Sequence, residues 1–231
     1  MKLKFAGDPA GIYFQGYKHC LTKIAHSFVT YHPTSLFGRV FGGGERNCTD
    51  RWNLIAEEIR SNDVASVVDL GCAEGYFVRL AAAEFGCFAL GIDGDVKRLL
   101  IGQNISTLEH WERAGSMLAE LSPDLLARMP VFDMTIFLSV LHHVMYEKGL
   151  DYSRAMLVAI REKTRKVMVF DMGQSNETSN DWAGLLPDMG DEPEHWIHDF
   201  LLSAGFSRAE RIGESDAYRT TVHRIVFSAF P

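Results

Sequence analysis

Residues 65–80 read Ala-Ser-Val-Val-Asp-Leu-Gly-Cys-Ala-Glu-Gly-Tyr-Phe-Val-Arg-Leu, and the fold is decided here. A short apolar strand delivers Asp69 into a tight glycine turn, and a helix opens directly after it. Val67 and Val68 are β-branched, as a buried strand prefers, whereas Gly71 and Gly75 can take backbone angles and close approaches that a Cβ forbids. A nucleotide can then lie against bare backbone at the strand's C-terminal edge. The dinucleotide fingerprint G-x-G-x-x-G is not met, because Ala73 and Tyr76 stand where it needs glycine.

Two further stretches agree with that strand and turn. Cys87-Phe88-Ala89-Leu90-Gly91-Ile92-Asp93 is an apolar run that ends in an acid about 20 residues after the glycine loop, where Rossmann-like folds place a carboxylate for the ribose hydroxyls. Val131-Phe132-Asp133-Met134-Thr135-Ile136-Phe137-Leu138-Ser139-Val140-Leu141-His142-His143 reads as another buried strand followed by a loop with paired histidines. Together, Asp69-x-Gly71-x-x-x-Gly75, Asp93 and this third stretch resemble the class I S-adenosylmethionine-dependent methyltransferases over residues 50–206.

That resemblance implies an adenosine-binding edge with named residues. Asp69 receives the amino group of the cofactor's methionine part, with the turn at Gly71, Cys72, Ala73 and Gly75 facing the cofactor. Asp69 also suits the N-cap of the helix that follows. Asp93 and Gly94 meet the ribose, Glu120 and Leu121 the adenine, and Leu138 and Ser139 pass beside the cofactor. His142 and His143 face the acceptor. Histidine is the natural general base near neutral pH, although paired histidines after this strand also serve as packing groups.

Upstream, Tyr31-His32-Pro33 and Arg46-Asn-Cys-Thr-Asp-Arg51 are similar to the methyltransferase domain of bacterial O-antigen chain-terminating kinase-methyltransferases. The likeness implies that Arg51, with Arg46, pairs with the cofactor's carboxylate, a contact the guanidinium fork makes well. The spacer from Pro33 to Arg46 is longer here and Gly-rich, and no kinase region follows in these 231 residues.

The order of periodicities sets the architecture. Strand-like runs at 66–70, 88–92, 116–119, 133–138 and 167–170 alternate with helical stretches at 50–60, 76–85, 95–104, 151–164 and 194–204. This alternation predicts an α/β, Rossmann-like, doubly wound and mostly parallel seven-stranded sheet. Segments 208–212 and 220–227 complete it as a C-terminal antiparallel hairpin. Residues 48–231 form the methyltransferase-like domain, with an insertion at 171–193 near the substrate. Residues 1–47, rich in glycine, tyrosine and phenylalanine, fit a lid or substrate cover, with a partly disordered leader as the alternative.

Composition narrows the function classes. A net charge of −7 disfavours long nucleic acid as partner, since phosphate neutralisation needs clustered Lys and Arg. Segment 171–199 holds eight acids and no Lys or Arg, which reads as a solvated face. Cys20, Cys48, Cys72 and Cys87 show no Cys-x-x-Cys pair and read as reduced thiols, with no metal site in the spacing. No stretch approaches the length of a membrane span, and the start turns polar before a signal-peptide core could form, so a cytoplasmic location is expected. The reading that follows is methyl transfer from S-adenosylmethionine to a small-molecule or glycan acceptor on oxygen. An RNA or protein methyltransferase, using Lys2, Lys4, Lys18, Lys23, Arg39 and Arg46 as a basic face, is the first alternative; a non-catalytic cofactor-binding scaffold is the second.

Overall fold

The computed structural model of the protein describes residues 32, 34–36, 39–41, 48–108, 112–217 and 221–231. Two short strands, β1 (Thr34–Leu36) and β2 (Arg39–Phe41), pair antiparallel ahead of the main sheet. Most of the expected lid at 1–47, including Arg46 and the lysines of the basic face, lies outside the described residues, as does Cys20. Helix α1 (Thr49–Ser61) then buries Trp52, Ile55, Ala56 and Ile59, the three-four spacing of one helical face.

The core follows the alternation of strand and helix. Strand β3 (Ser66–Leu70) leads to α2 (Tyr76–Phe85), which left-handed Gly75 and Gly86 bound at either end. Strand β4 (Phe88–Asp93), α3 (Val96–Leu108), β5 (Ala114–Leu118) and α4 (Pro123–Arg128) come next. After them stand β6 (Phe132–Leu138), α5 (Leu141–Lys148), α6 (Leu150–Lys163) and β7 (Thr164–Asp171). Helix α7 (Pro193–Ser203) and the strands β8 (Arg208–Asp216) and β9 (His223–Phe230) complete the unit.

The seven-stranded sheet runs β5-β4-β3-β6-β7-β9-β8. Strands β3 to β7 pair parallel, and β9 enters antiparallel between β7 and β8. Strand order therefore reverses between β3 and β6, and in open α/β sheets the crevice beyond the carboxyl ends at such a point holds the ligand. Asp69, Asp93, Ser139 and Asp171 all reach that edge. Both faces are covered: Phe137, Phe170, Met168 and Leu157 pack on one, Val67, Met134, Ile136 and Val169 on the other.

Several expectations shift. The expected strand at 116–119 begins two residues earlier, and the terminal hairpin runs over 208–216 and 223–230, because its backbone pairs from Arg208↔Phe230 to Asp216↔His223. Helix α4 stands where no element was expected, capped by Ser122 whose hydroxyl accepts the Leu125 N–H. The loop expected to carry His142 and His143 is the first turn of α5. Asp69 does not cap α2; Gly75 occupies that position without a side-chain cap.

On the opposite edge, Asp133 ties strand starts together. Its carboxylate accepts the Ala65 N–H at 3.0 Å and Arg165 Nη1 at 2.7 Å, while its own N–H donates to Ser66 Oγ at 2.9 Å. Burial pushes the carboxyl's pKa up, but the Ala65 N–H and Arg165 outweigh it and hold it below the ordinary value. A depressed folded pKa adds stability above the unfolded value, about 3.9, and that contribution is lost as pH falls through the folded one. Asp133→Asn should therefore lower stability at pH 7 by roughly 1 to 3 kcal/mol. The deficit should shrink in urea titrations as the pH drops towards 3, and an unchanged deficit in acid would refute the ionic account.

Candidate active site

At the C-terminal edge of β3, β4, β6 and β7 lies a cavity of about 580 Å³. Asp69, Gly71, Asp93, Gly94, Glu120, Leu121, Leu138, Ser139, His142, His143 and Arg51 all line it, so eleven of the sequence-derived site residues converge on one space. Three do not. Cys72, Ala73 and Gly75 line a separate cavity on the α3 side of the loop. Their backbone explains the difference: the Gly71 and Cys72 N–H groups both donate to Ile92 O, at 2.7 and 3.1 Å, and the Ala73 N–H donates to Asp93 Oδ2 at 2.8 Å. The turn is folded onto β4, and its donors are already engaged.

Gly71 makes the first wall. Its φ is +84°, and a Cβ there would overlap the Val140 side chain, so the turn and the start of α5 close on each other only because residue 71 has no side chain. Asp93 is both a turn acid and a loop clamp, since Oδ1 takes the Asp95 N–H at 2.7 Å while Oδ2 takes Ala73. Each carboxylate oxygen keeps a second lone pair for a ligand hydroxyl.

Asp69 Oδ2 and Arg51 Nε are buried, belong to residues that line this cavity and have no hydrogen-bond partner. One accepts and the other donates. Burial first, and the charge of Asp93 second, push the Asp69 carboxyl up to about 8. Arg51 is only 3% exposed rather than solvated at its helix start; its Nη2 meets Asp171 Oδ2 and Ser215 Oγ, each at 3.0 Å. Asp171 in turn holds the turn after β6. Its Oδ1 accepts the Ser139 N–H at 2.7 Å and the Ser139 hydroxyl at 2.9 Å, which fixes Ser139 at φ +60°, a left-handed angle that a serine rarely adopts.

Asp171 and Glu177 are both fully buried, which corrects the reading of segment 171–199 as a solvated face for these two acids, the other six being exposed or half-buried. Their charges are met by Arg51 and Arg224, arginines supplied by distant elements.

The other half of the cavity belongs to α5, α6 and the segment after β7. His142 is buried, and its Nδ1 accepts the Gly173 N–H at 3.0 Å, which leaves the ring proton on Nε2. A ring so engaged cannot serve as base through Nδ1. His143 is exposed, with Nδ1 3.4 Å from the Tyr146 hydroxyl. Trp182 stands 4.6 Å from the His142 ring, seated where a Cβ on Gly173 would strike it.

Sequence reasoning did not single out His32, Arg98, Val140, Tyr152, Asn180, Trp182 or Arg224 as lining residues. His32 had a signal in the Tyr-His-Pro stretch, and it is buried beside Phe77 and Glu74. Arg224 lies on strand β9, and the others sit on helix faces or in irregular chain. Among the described residues no cluster of His, Cys, Asp or Glu could hold a metal, and no helix is long and apolar enough to cross a membrane. The described cysteines, Cys48, Cys72 and Cys87, are free and buried.

No protein-family model matches the chain. It is 29% identical, over 232 aligned positions covering 90% of its length, to the O-antigen chain terminator bifunctional methyltransferase/kinase WbdD of Escherichia coli. The chain spans only 29% of that relative's length. The crystal structure of WbdD superposes with a TM-score of 0.75 at 23% identity, over 91% of this chain and 46% of that one. The N-terminal domain of EvdMO1, solved in the presence of SAH and D-fucose, gives 0.64 at 14% identity and covers 93% of this chain and 96% of that one. Magnesium protoporphyrin IX methyltransferase from Synechocystis PCC 6803, with bound SAH, gives 0.58 at 14% identity, over 95% and 94% of the two chains. The strand order and these superpositions give the chain the Rossmann-like fold shared by these proteins, and in sequence it is similar to the methyltransferase/kinase WbdD.

Proposed function

We propose that the protein binds S-adenosylmethionine in the cavity and moves its methyl group to an oxygen of a small-molecule or glycan acceptor. The observation that carries the reading is the pair of buried, unpartnered atoms, Asp69 Oδ2 and Arg51 Nε. An acceptor and a cationic donor in one cavity suit a ligand with an amino-acid end: the carboxylate takes the ammonium and the guanidinium takes the carboxylate. Asp93 keeps lone pairs for ribose hydroxyls, and Glu120 and Leu121 flank the same space after β5. When bound, the cofactor supplies a methyl group already activated by its sulfonium.

The chain's remaining work is alignment and proton removal. Ser139 and Val140 close the floor, Trp182 and Tyr152 offer flat apolar faces for the acceptor, and His143 sits at the rim to take a hydroxyl proton. A sugar suits this mix of aromatic surface and polar groups. The names of WbdD, an O-antigen chain terminator, and of EvdMO1, solved with D-fucose, support the same acceptor class.

Calorimetry with S-adenosylhomocysteine and with NAD tests the cofactor: binding of the first without the second is expected, and tight NAD binding with no response to S-adenosylhomocysteine would falsify the reading. Asp93→Ala should weaken S-adenosylhomocysteine by roughly 1 to 3 kcal/mol, since it removes both a ligand acceptor and the clamp on Ala73. A loss under about fivefold would leave Asp93 as a turn residue only. Transfer of a tritiated methyl group into oligosaccharides, set against RNA and protein, tests the acceptor. Label in the sugar is expected, and label confined to RNA or protein would overturn that part.

A further inference from the structure

Under the cavity runs a ladder of buried charge, of which the cofactor reading uses only Arg51 and Ser139. Arg224 on β9 is 1% exposed. Its Nε and Nη2 donate to the two oxygens of Glu177 at 2.7 and 2.8 Å, and its Nη1 donates to Ser139 Oγ at 3.0 Å. Glu177 also accepts the Gln174 N–H at 2.9 Å and Asn180 Nδ2 at 3.3 Å. From Ser139 the ladder continues through Asp171 to Arg51. Two arginines and two carboxylates thus neutralise one another out of water, each tolerable only while its neighbours stay in place.

The two ends of the ladder belong to different halves of the cavity. Arg51 and Ser139 lie on the cofactor's side. Asn180 and Trp182 line the acceptor's side, and the Trp182 ring is 5.6 Å from the Arg224 guanidinium. The forked Arg224–Glu177 contact is rigid in two directions, as a single ammonium would not be. Ser139, meanwhile, is already held in a strained backbone by the same ladder.

We propose that Arg224 and Glu177 are positioning residues that fasten the acceptor wall at 174–186 to the cofactor floor, so that filling the floor stiffens the wall. The proposal rests on the cofactor reading above. Its physical route is Arg51: a ligand carboxylate at the unpartnered Nε fixes that side chain, and the constraint passes through Asp171 and Ser139 to Arg224 and so to the segment that carries Asn180 and Trp182. Acceptor binding is then favoured once the cofactor is in place.

Hydrogen exchange with and without S-adenosylhomocysteine tests this, in the parent and in the double variant Glu177→Met/Arg224→Met. Removing both charges together leaves no uncompensated ion, and apolar residues of similar volume often keep a fold stable. In the parent, the ligand should slow exchange at 69–75 and 93–95, and several-fold at 174–186 as well. In the double variant the ligand should still bind and still protect 69–75 and 93–95, while its effect on 174–186 disappears. Should the double variant not fold, Arg224→Lys, which keeps the charge and loses the fork, should show reduced ligand-dependent protection at 174–186. Equal protection of 174–186 in parent and variant overturns the proposal, as does a parent whose glycine loop responds while 174–186 does not. Absence of protection everywhere in the parent brings down the cofactor reading, and this proposal with it.

Discussion

The affinity of the protein for S-adenosylhomocysteine should rise about tenfold for each pH unit from 6 towards 8 and then level off. Burial and the neighbouring Asp93 push the Asp69 carboxyl up to about 8, so below that pH the empty protein holds a proton where the ligand's ammonium must go. The ammonium pairs with the carboxylate only, and each unit below the pKa costs a factor of about ten in displacing the proton. Calorimetry in two buffers of different ionisation heat should show a proton released on binding at pH 7. Asp69→Asn should weaken the ligand at pH 8 by roughly 1.5 to 3 kcal/mol and remove the pH dependence.

The same group makes a second, opposite signature in the ligand-free protein. Its folded pKa lies above the unfolded value of about 3.9, so the folded state holds more protons through the window from about 4 to 8, and stability falls as pH rises across it. Thermal unfolding of the empty protein should show that decline, and Asp69→Asn should lack it. A flat affinity profile together with a flat stability profile would mean that Asp69 is ionised in the empty cavity and that the burial argument fails.

The second large effect concerns the histidines. His143→Ala should lower kcat by roughly 10² to 10⁴ with S-adenosylhomocysteine affinity unchanged, because a base acts on the acceptor's proton. Turnover should also slow in acid, where imidazolium cannot take a proton. His142→Ala should behave differently. It strips the Gly173 N–H of its acceptor and the Trp182 ring of its neighbour, so stability should drop by roughly 1 to 3 kcal/mol along with activity. If His143→Ala keeps parental kcat, alignment alone carries the reaction and His143 is a rim residue.

The contrast between these neighbours shows what a sequence can and cannot carry. Segment 66–93 was readable because its signals are local: β-branched residues, a glycine turn and acids at strand ends fix β3, α2 and β4 almost to the residue. From that came Asp69 and Asp93 in one cavity. The direction of the turn was not readable, since the Gly71, Cys72 and Ala73 N–H groups are used by a strand that pairs only in three dimensions. His142 and His143 look alike in sequence, and only the first turn of α5 sends one inward and the other out. Asp171 and Glu177 looked solvated because segment 171–199 holds no Lys or Arg of its own; Arg224 lies 47 positions from Glu177. Asn180 and Trp182 sit in irregular chain, where no period marks which side faces the ligand.

Strand β9 slots between β7 and β8 although it follows both in sequence. During synthesis, β3 to β7 can therefore pair as they leave the ribosome, while the gap beside β7 stays open until residues 223–230 emerge. Until then Glu177 and Ser139 have no arginine, and β7 presents an unpaired apolar edge that invites other chains. The pocket thus matures after the sheet that bears it. A nascent or clipped chain that stops before β9 can carry the whole glycine loop and still be a target for chaperones and proteases rather than a working protein.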